Sequence, residues 1–147
     1  MVAIQQSLLI EAPASFTASF WSNFEQFPSF MEEVASVDVS PDGRMTWRRC
    51  GADGSSSVEV RVVDSVDGRA LRWQYREGAE RSAAVTFAPL AGDATWLTYT
   101  LEYEPEASDG REVSCVAERV GRELRTARDM VEARFLESRS PVSPVSR

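Results

Sequence analysis

The stretch from Arg111 to Glu137, REVSCVAERVGRELRTARDMVEARFLE, constrains the fold of this chain more than any other. Val113, Val116, Val120, Leu124, Ala127, Val131 and Phe135 recur three or four residues apart, which puts them on one stripe of a helix. Between them lie Glu118, Arg119, Arg122, Arg125, Arg128, Asp129 and Glu132. These form a charged face with i,i+4 pairs such as Glu118–Arg122 and Arg128–Glu132. At 1.5 Å per residue the helix is roughly 40 Å long. An apolar stripe of that length needs a large apolar partner. The preceding chain must supply it, and the pattern there predicts a curved sheet that wraps the helix.

That pattern is period two. Val2 to Ile10 reads as a first strand. Ala12-Pro13-Ala14-Ser15 opens a helix carrying Phe16, Phe20 and Trp21, because proline suits a helix start. The helix stops near Asn23, and a second short helical segment spans Phe24 to Met31, interrupted by Pro28. From Val34 to Tyr103 the pattern is all strand. The segments are Val34–Val39, Arg44–Cys50, Val58–Val63, then runs built on Leu71-Trp73-Tyr75, Ala83-Val85-Phe87 and Leu97-Tyr99-Leu101-Tyr103. Asp42-Gly43, Asp53-Gly54, Asp67-Gly68, Glu77-Gly78 and Gly92-Asp93 punctuate them, and Asp-Gly between alternating runs is a strong hairpin signal. The expected architecture is α+β: seven antiparallel strands in the order β-α-α-β6-α, one domain over residues 1–137. The Ser/Pro-rich tail 138–147, SRSPVSPVSR, is expected to be disordered.

Composition excludes more than it suggests. The chain has no histidine and no lysine, and every cation is arginine. Arginine cannot act as a base near neutral pH. Ser-His-Asp and Cys-His mechanisms, Schiff-base catalysis and histidine-ligated metal sites are therefore ruled out, and neither a metal nor a cofactor is expected. The net charge of −7 makes nucleic acid a poor partner. No apolar run approaches a membrane span. The N-terminus lacks a basic region and reads as a strand, so no signal peptide and a cytoplasmic location are expected. Cys50 and Cys115 lack CxxC spacing and are expected as two free, partly buried thiols. The arginine-rich helix face, interleaved with acids, reads as solvated.

The inward face of the sheet is predicted as Trp47, Val58, Val60, Val62, Leu71, Trp73, Tyr75, Val85, Phe87, Leu97, Tyr99 and Leu101. A curled sheet facing one helix leaves room for an apolar pocket with a few polar groups. Polar residues in phase with that face are Gln6, Arg49, Tyr75, Tyr99 and Tyr103. Arg49 either emerges at the rim, its stem covering apolar surface, or donates to a ligand carbonyl or carboxylate. Tyr75 and Tyr99 either find partners within the protein or serve the site. Glu59 and Arg61, in the opposite phase, are expected in a cross-strand ion pair on the solvent face. Gly121, mid-helix, allows close sheet approach or leaves room for a ligand. The aromatic run WSNFEQFPSFM plugs one end of the core or lines the mouth of a cavity.

The element order, with IEAPAS at 10–15, WSNFEQFPSFMEEVASV at 21–37, LRWQYREGAERSAAVTFAPL at 71–90 and TWLTYTLEYEP at 95–105, resembles the START-like (SRPBCC) superfamily. The likeness is to its polyketide cyclase/dehydrase and coenzyme Q-binding branch, over residues 3–137. The resemblance implies the helix-grip fold and a deep apolar cavity between the sheet and the C-terminal helix. It implies a hydrophobic small molecule as ligand, such as a lipid, quinone or polyketide. It also implies either cyclase chemistry in secondary metabolism, including antibiotic biosynthesis, or non-catalytic carriage. An acyl carrier protein is a candidate partner, and the chain would be a monomer or homodimer. Carried onto this chain, Arg49, Tyr75 and Tyr99 are the candidate catalytic residues. Phe27, Met31, Trp47, Trp73, Phe87, Val120 and Leu124 are the candidate ligand-binding residues. The chain departs from the better-known cyclases at the fourth strand. Where those carry a cavity arginine, its inward phase is Val58, Val60 and Val62, and Arg61 points the other way.

Overall fold

The computed structural model describes residues 1–51, 54–106 and 110–139. Seven strands form one antiparallel sheet: β1 (Val2–Ile10), β2 (Val34–Val39), β3 (Arg44–Gly51), β4 (Gly54–Val66), β5 (Ala70–Tyr75), β6 (Glu80–Leu90) and β7 (Ala94–Tyr103). The spatial order is β1-β7-β6-β5-β4-β3-β2, so the meander runs unbroken and the first strand closes against the last. Helix α1 (Ala14–Ser22) and a 3-10 helix (Phe24–Ser29) separate β1 from β2, and α2 (Arg111–Arg139) follows β7. This is the expected helix-grip arrangement. The helix extends two residues past Glu137. The rest of the expected tail, 140–147, and Asp53 of the expected Asp53-Gly54 turn lie outside the described residues. Gly43 and Gly68 take φ of +89° and +72° at their Asp-Gly turns, a conformation that costs glycine nothing.

The second helical segment is shorter and tighter than expected. It ends at Ser29, and Phe30 N–H reaches only to the carbonyl of Phe27 (3.1 Å). Pro28 has no N–H to extend an α-helix. The segment drives Phe27 to full burial between Trp47 (ring centroids 5.5 Å) and Trp73 (5.6 Å). Trp73 lies 5.5 Å from Phe24 and 6.4 Å from Tyr99, so the two short helices and the sheet share one aromatic core. Each such side chain contributes about 1.5–3 kcal/mol by burial. On α2, Val120, Leu124, Ala127 and Val131 are buried, and Val113, Val116 and Phe135 are half-buried at the ends of the stripe.

Several local expectations change. Val62 is only half-buried, because a bulge between Val62 and Asp64 bends β4 away at that point. Glu59 makes the expected cross-strand ion pairs, with Arg44 (3.8 Å) and Arg76 (3.2 Å), whereas the Arg61 side chain makes none with a described residue. The expected pairs Glu118–Arg122 and Arg128–Glu132 give way to others: Arg122 binds Glu32 and Glu132 accepts the Glu11 N–H, both off the helix, while Arg128 binds its neighbour Asp129. Both cysteines are free but exposed. Gly121 resolves to close approach: a Cβ there would lie 3.0 Å from Gln6 Oε1. Gln6 spans from β1 to donate to the Ala117 carbonyl at 2.6 Å.

Candidate functional site

Where the open ends of β3, β6 and β7 face the first half of α2, the apolar core gives way to a cleft of about 370 Å³. Its wall includes Glu32, Glu33, Arg49, Glu80, Tyr103, Cys115, Val116, Arg119 and Arg122. Glu80 lies at the centre, 8% exposed, held by Arg49 on one oxygen and by Arg119 Nη2 at 2.9 Å on the other. Arg119 Nη1 also lies 3.3 Å from Glu33 and 3.8 Å from Glu123. Glu123, 6% exposed, accepts the backbone N–H of Glu32 at 3.0 Å. At the rim, Arg122 grips Glu32 through two bonds of 2.9 and 3.0 Å. The cleft thus joins both faces of the grip through charge-assisted hydrogen bonds, the stronger kind.

The two buried carboxyls are shifted in opposite directions. Burial opposes ionisation of Glu80, but Arg49 and Arg119 outweigh it and hold the carboxyl below the usual range. Burial pushes the Glu123 carboxyl up to about 7, against the pull of Arg119 and of the Glu32 N–H. The physical reason is that Arg119 is divided among three carboxylates and sits closest to Glu80. In a chain without histidine, Glu123 is a group able to exchange a proton near neutral pH. Tyr75 stands behind the cleft with the Arg49 guanidinium 5.2 Å from its ring. It accepts the Trp73 Nε1 hydrogen at 3.0 Å, which leaves its own proton free to donate. Burial raises both Tyr75 and Tyr99, so both stay protonated and can act as donors but not as bases. Arg49 Nε and Trp47 Nε1 are buried with no acceptor among the described residues. Each such orphan donor costs about 1–3 kcal/mol.

The structure puts Arg49 in the cleft wall and Tyr75 against its guanidinium, outside the lining. Tyr99 sits deeper, among Trp21 and Trp73. Phe27, Met31, Trp47, Trp73, Phe87, Val120 and Leu124 are all buried in one core, and none of them lines the cleft. The large rings fill the space between sheet and helix, so the opening lies toward one end, beside Val116. Among the described residues, no group of three or more Cys, Asp or Glu is placed to hold a metal ion.

Three residues escaped the sequence reading. Glu80 was hidden by a bulge. Strict alternation puts it on the outer face with Ser82, but the register skips Arg81, so Glu80 pairs with Tyr103 and turns inward. Arg119, expected on the solvated face, has a side chain only 13% exposed, because it stands beside Val120 at the edge of the stripe. Glu123 carried a usable signal. It lies three residues after Val120 and four before Ala127, in phase with the buried stripe, and a carboxylate there has to be paired or protonated.

The chain belongs to the family described as polyketide cyclase/dehydrase and lipid transport, whose profile matches residues 10–133. A curated relative, an uncharacterized 17.2 kDa protein from the melC2-rnhH intergenic region of Streptomyces lincolnensis, is 23% identical over 84% of this chain and 78% of its own length. Among solved structures, the ZhuI aromatase/cyclase from Streptomyces sp. R1128 superposes with a TM-score of 0.74 at 16% identity, covering 90% of this chain and 94% of that one. A START superfamily protein from Mycobacterium smegmatis gives 0.68 at 16% identity, covering 92% and 98%. At such identities the two structures establish the shared fold. None of the described helices is long and apolar enough to cross a membrane.

Proposed function

We propose that the protein binds a hydrophobic small molecule bearing carbonyl or hydroxyl groups in the cleft between sheet and α2. On this reading it acts as a polyketide cyclase/dehydrase-like protein of secondary metabolism. The carrying observation is the Arg49–Glu80–Arg119 cluster at the cleft wall, with the Glu123 carboxyl beside it at about 7. Arg49, Arg119 and Arg122 are matched in the wall by Glu32, Glu33 and Glu80, so the cleft suits dipolar oxygens better than a full anion. Ligand carbonyls would accept from the guanidiniums, whose charge polarises them for attack. Glu123 stands just behind the cleft wall, against Arg119, and would supply the proton exchange that aldol closure and dehydration require through water between its carboxyl and the ligand, since a guanidinium passes no proton at neutral pH. Tyr75, protonated and buried behind Arg49, would position that guanidinium instead of touching the ligand.

A second reading, non-catalytic carriage, rests on a different observation: both arginines are already engaged with Glu80, and the aromatic core behind them is filled. One set of experiments separates the two. Ligands co-purifying from a bacterial extract are identified by mass spectrometry, and binding is followed by tryptophan fluorescence. Val116→Trp, which fills the cleft, is expected to weaken binding at least tenfold while the protein stays folded. Turnover of a model poly-β-ketone is then measured against pH. The cyclase reading expects a rate that follows an apparent pKa near 7 and is lost in Glu123→Gln. Binding without turnover supports carriage, and unchanged binding in Val116→Trp removes the cleft from either reading.

A further inference from the structure

The outer face of β3 to β5, turned away from α2, carries an arrangement that folding does not explain. The register sets Arg44 directly opposite Arg61, and Arg61 directly opposite Gln74. Like charges facing each other across a ladder are destabilising. Arg76 follows β5 on the same side. The carboxylate available to them in the sheet is Glu59, which divides itself between Arg76 (3.2 Å) and Arg44 (3.8 Å), and Asp42 lies 3.7 Å from Arg44 at the turn. The Arg61 side chain makes no ion pair or hydrogen bond with any described residue. Between these side chains lies a pocket of about 160 Å³ lined by Arg44, Glu59, Arg61, Gln74, Tyr75 and Arg76. Three guanidiniums and an amide therefore converge on one concavity against a single carboxylate in its wall. This happens in a chain whose overall charge is −7.

We propose that this pocket binds a phosphate group. The guanidinium fork matches phosphate oxygens through paired N–H donors. Arg61 brings a fork with no internal partner, Arg44 and Arg76 close the sides, and the Gln74 amide adds a neutral donor. A bound dianion removes the repulsion between Arg44 and Arg61, so the ligand offsets what the bare sheet loses. The pocket is small and open, which fits the phosphate end of a larger molecule or free phosphate. It is on the opposite face of the sheet from the cleft, so its test is independent of the ligand reading above.

The full chain is titrated with inorganic phosphate at constant ionic strength, using chloride as the control, while the arginine Nε–H and glutamine side-chain signals are followed by NMR. Saturable shifts are expected at Arg44, Arg61, Arg76 and Gln74 and not at Arg125 or Arg128. Arg61→Gln is expected to weaken binding at least tenfold while leaving the melting temperature equal or higher, since it relieves the like-charge pair. Glu59→Gln is expected to tighten binding several-fold. A parallel arm uses phosphatidylcholine vesicles with and without phosphatidic acid. Binding to the phosphatidic acid vesicles that Arg61→Gln abolishes assigns the phosphate to a lipid headgroup, and saturable binding of free phosphate alone assigns it to a soluble ligand. No response in either arm overturns the proposal, as does a non-saturating shift spread over all arginines or an undiminished response in Arg61→Gln.

Discussion

Glu123→Gln is expected to make the protein more stable at pH 8 and to leave it unchanged at pH 4.5. The Glu123 carboxyl is pushed from a reference near 4.5 up to about 7, chiefly by burial. Below pH 4.5 it is protonated in both folded and unfolded chains and contributes nothing to the pH dependence. Between 4.5 and 7 only the folded chain holds the proton, so stability falls as pH rises, and the loss is complete above 7. At roughly 1.4 kcal/mol for each tenfold, that loss is about 3 kcal/mol, a large fraction of a typical folding free energy of about 5–15 kcal/mol. Glutamine imitates the protonated acid and can still accept the Glu32 N–H. The variant therefore escapes the loss. Glu80, whose carboxyl is held below the usual range, stays ionised across this window and adds no slope. Urea denaturation of both proteins from pH 4.5 to 8 measures the difference. With slopes of about 1–3 kcal/mol per molar, the midpoints should separate by about 1–3 M at pH 8. A gap that stays constant with pH, or a variant less stable than the parent at pH 8, refutes the assignment of a protonated Glu123.

Two further outcomes follow from the same contacts. Glu80→Gln leaves Arg49 and Arg119 buried without their carboxylate and should cost about 3–5 kcal/mol at pH 7. The gap should narrow in acid, because the Glu80 contribution is present above its unfolded pKa and lost as pH falls through the depressed folded one; denaturant midpoints at pH 7 and pH 3.5 check this. Gly121→Ala adds about 1 kcal/mol of helix propensity but presses on Gln6 Oε1 at 3.0 Å and threatens its bond to Ala117, worth about 0.5–1.5 kcal/mol. Alone it should be close to neutral, whereas in a Gln6→Ala background it should stabilise by about 1 kcal/mol, and a double-mutant cycle by thermal melting reads the coupling.

Much of this molecule is decided locally. The three-and-four spacing from Val113 to Phe135 dictates one long amphipathic helix, and the period-two runs between Asp-Gly turns dictate a meander. The only closed arrangement for such a pair is a sheet gripping a helix, because each apolar face can be buried only by the other. Arg49, in phase with Trp47, was likewise legible as a residue at the edge of the inner face. The centre of the candidate site was not. A bulge at Arg81 reverses the side that Glu80 faces, and no period-two reading contains it. Whether Arg119 meets water or a carboxylate depends on how the end of β6 approaches α2. The room left for a ligand depends on how tightly Phe27, Trp47 and Trp73 pack. Sequence periodicity determines which residues share a face. Only the tertiary structure determines which faces meet, how much space remains between them, and so which carboxyl keeps its proton.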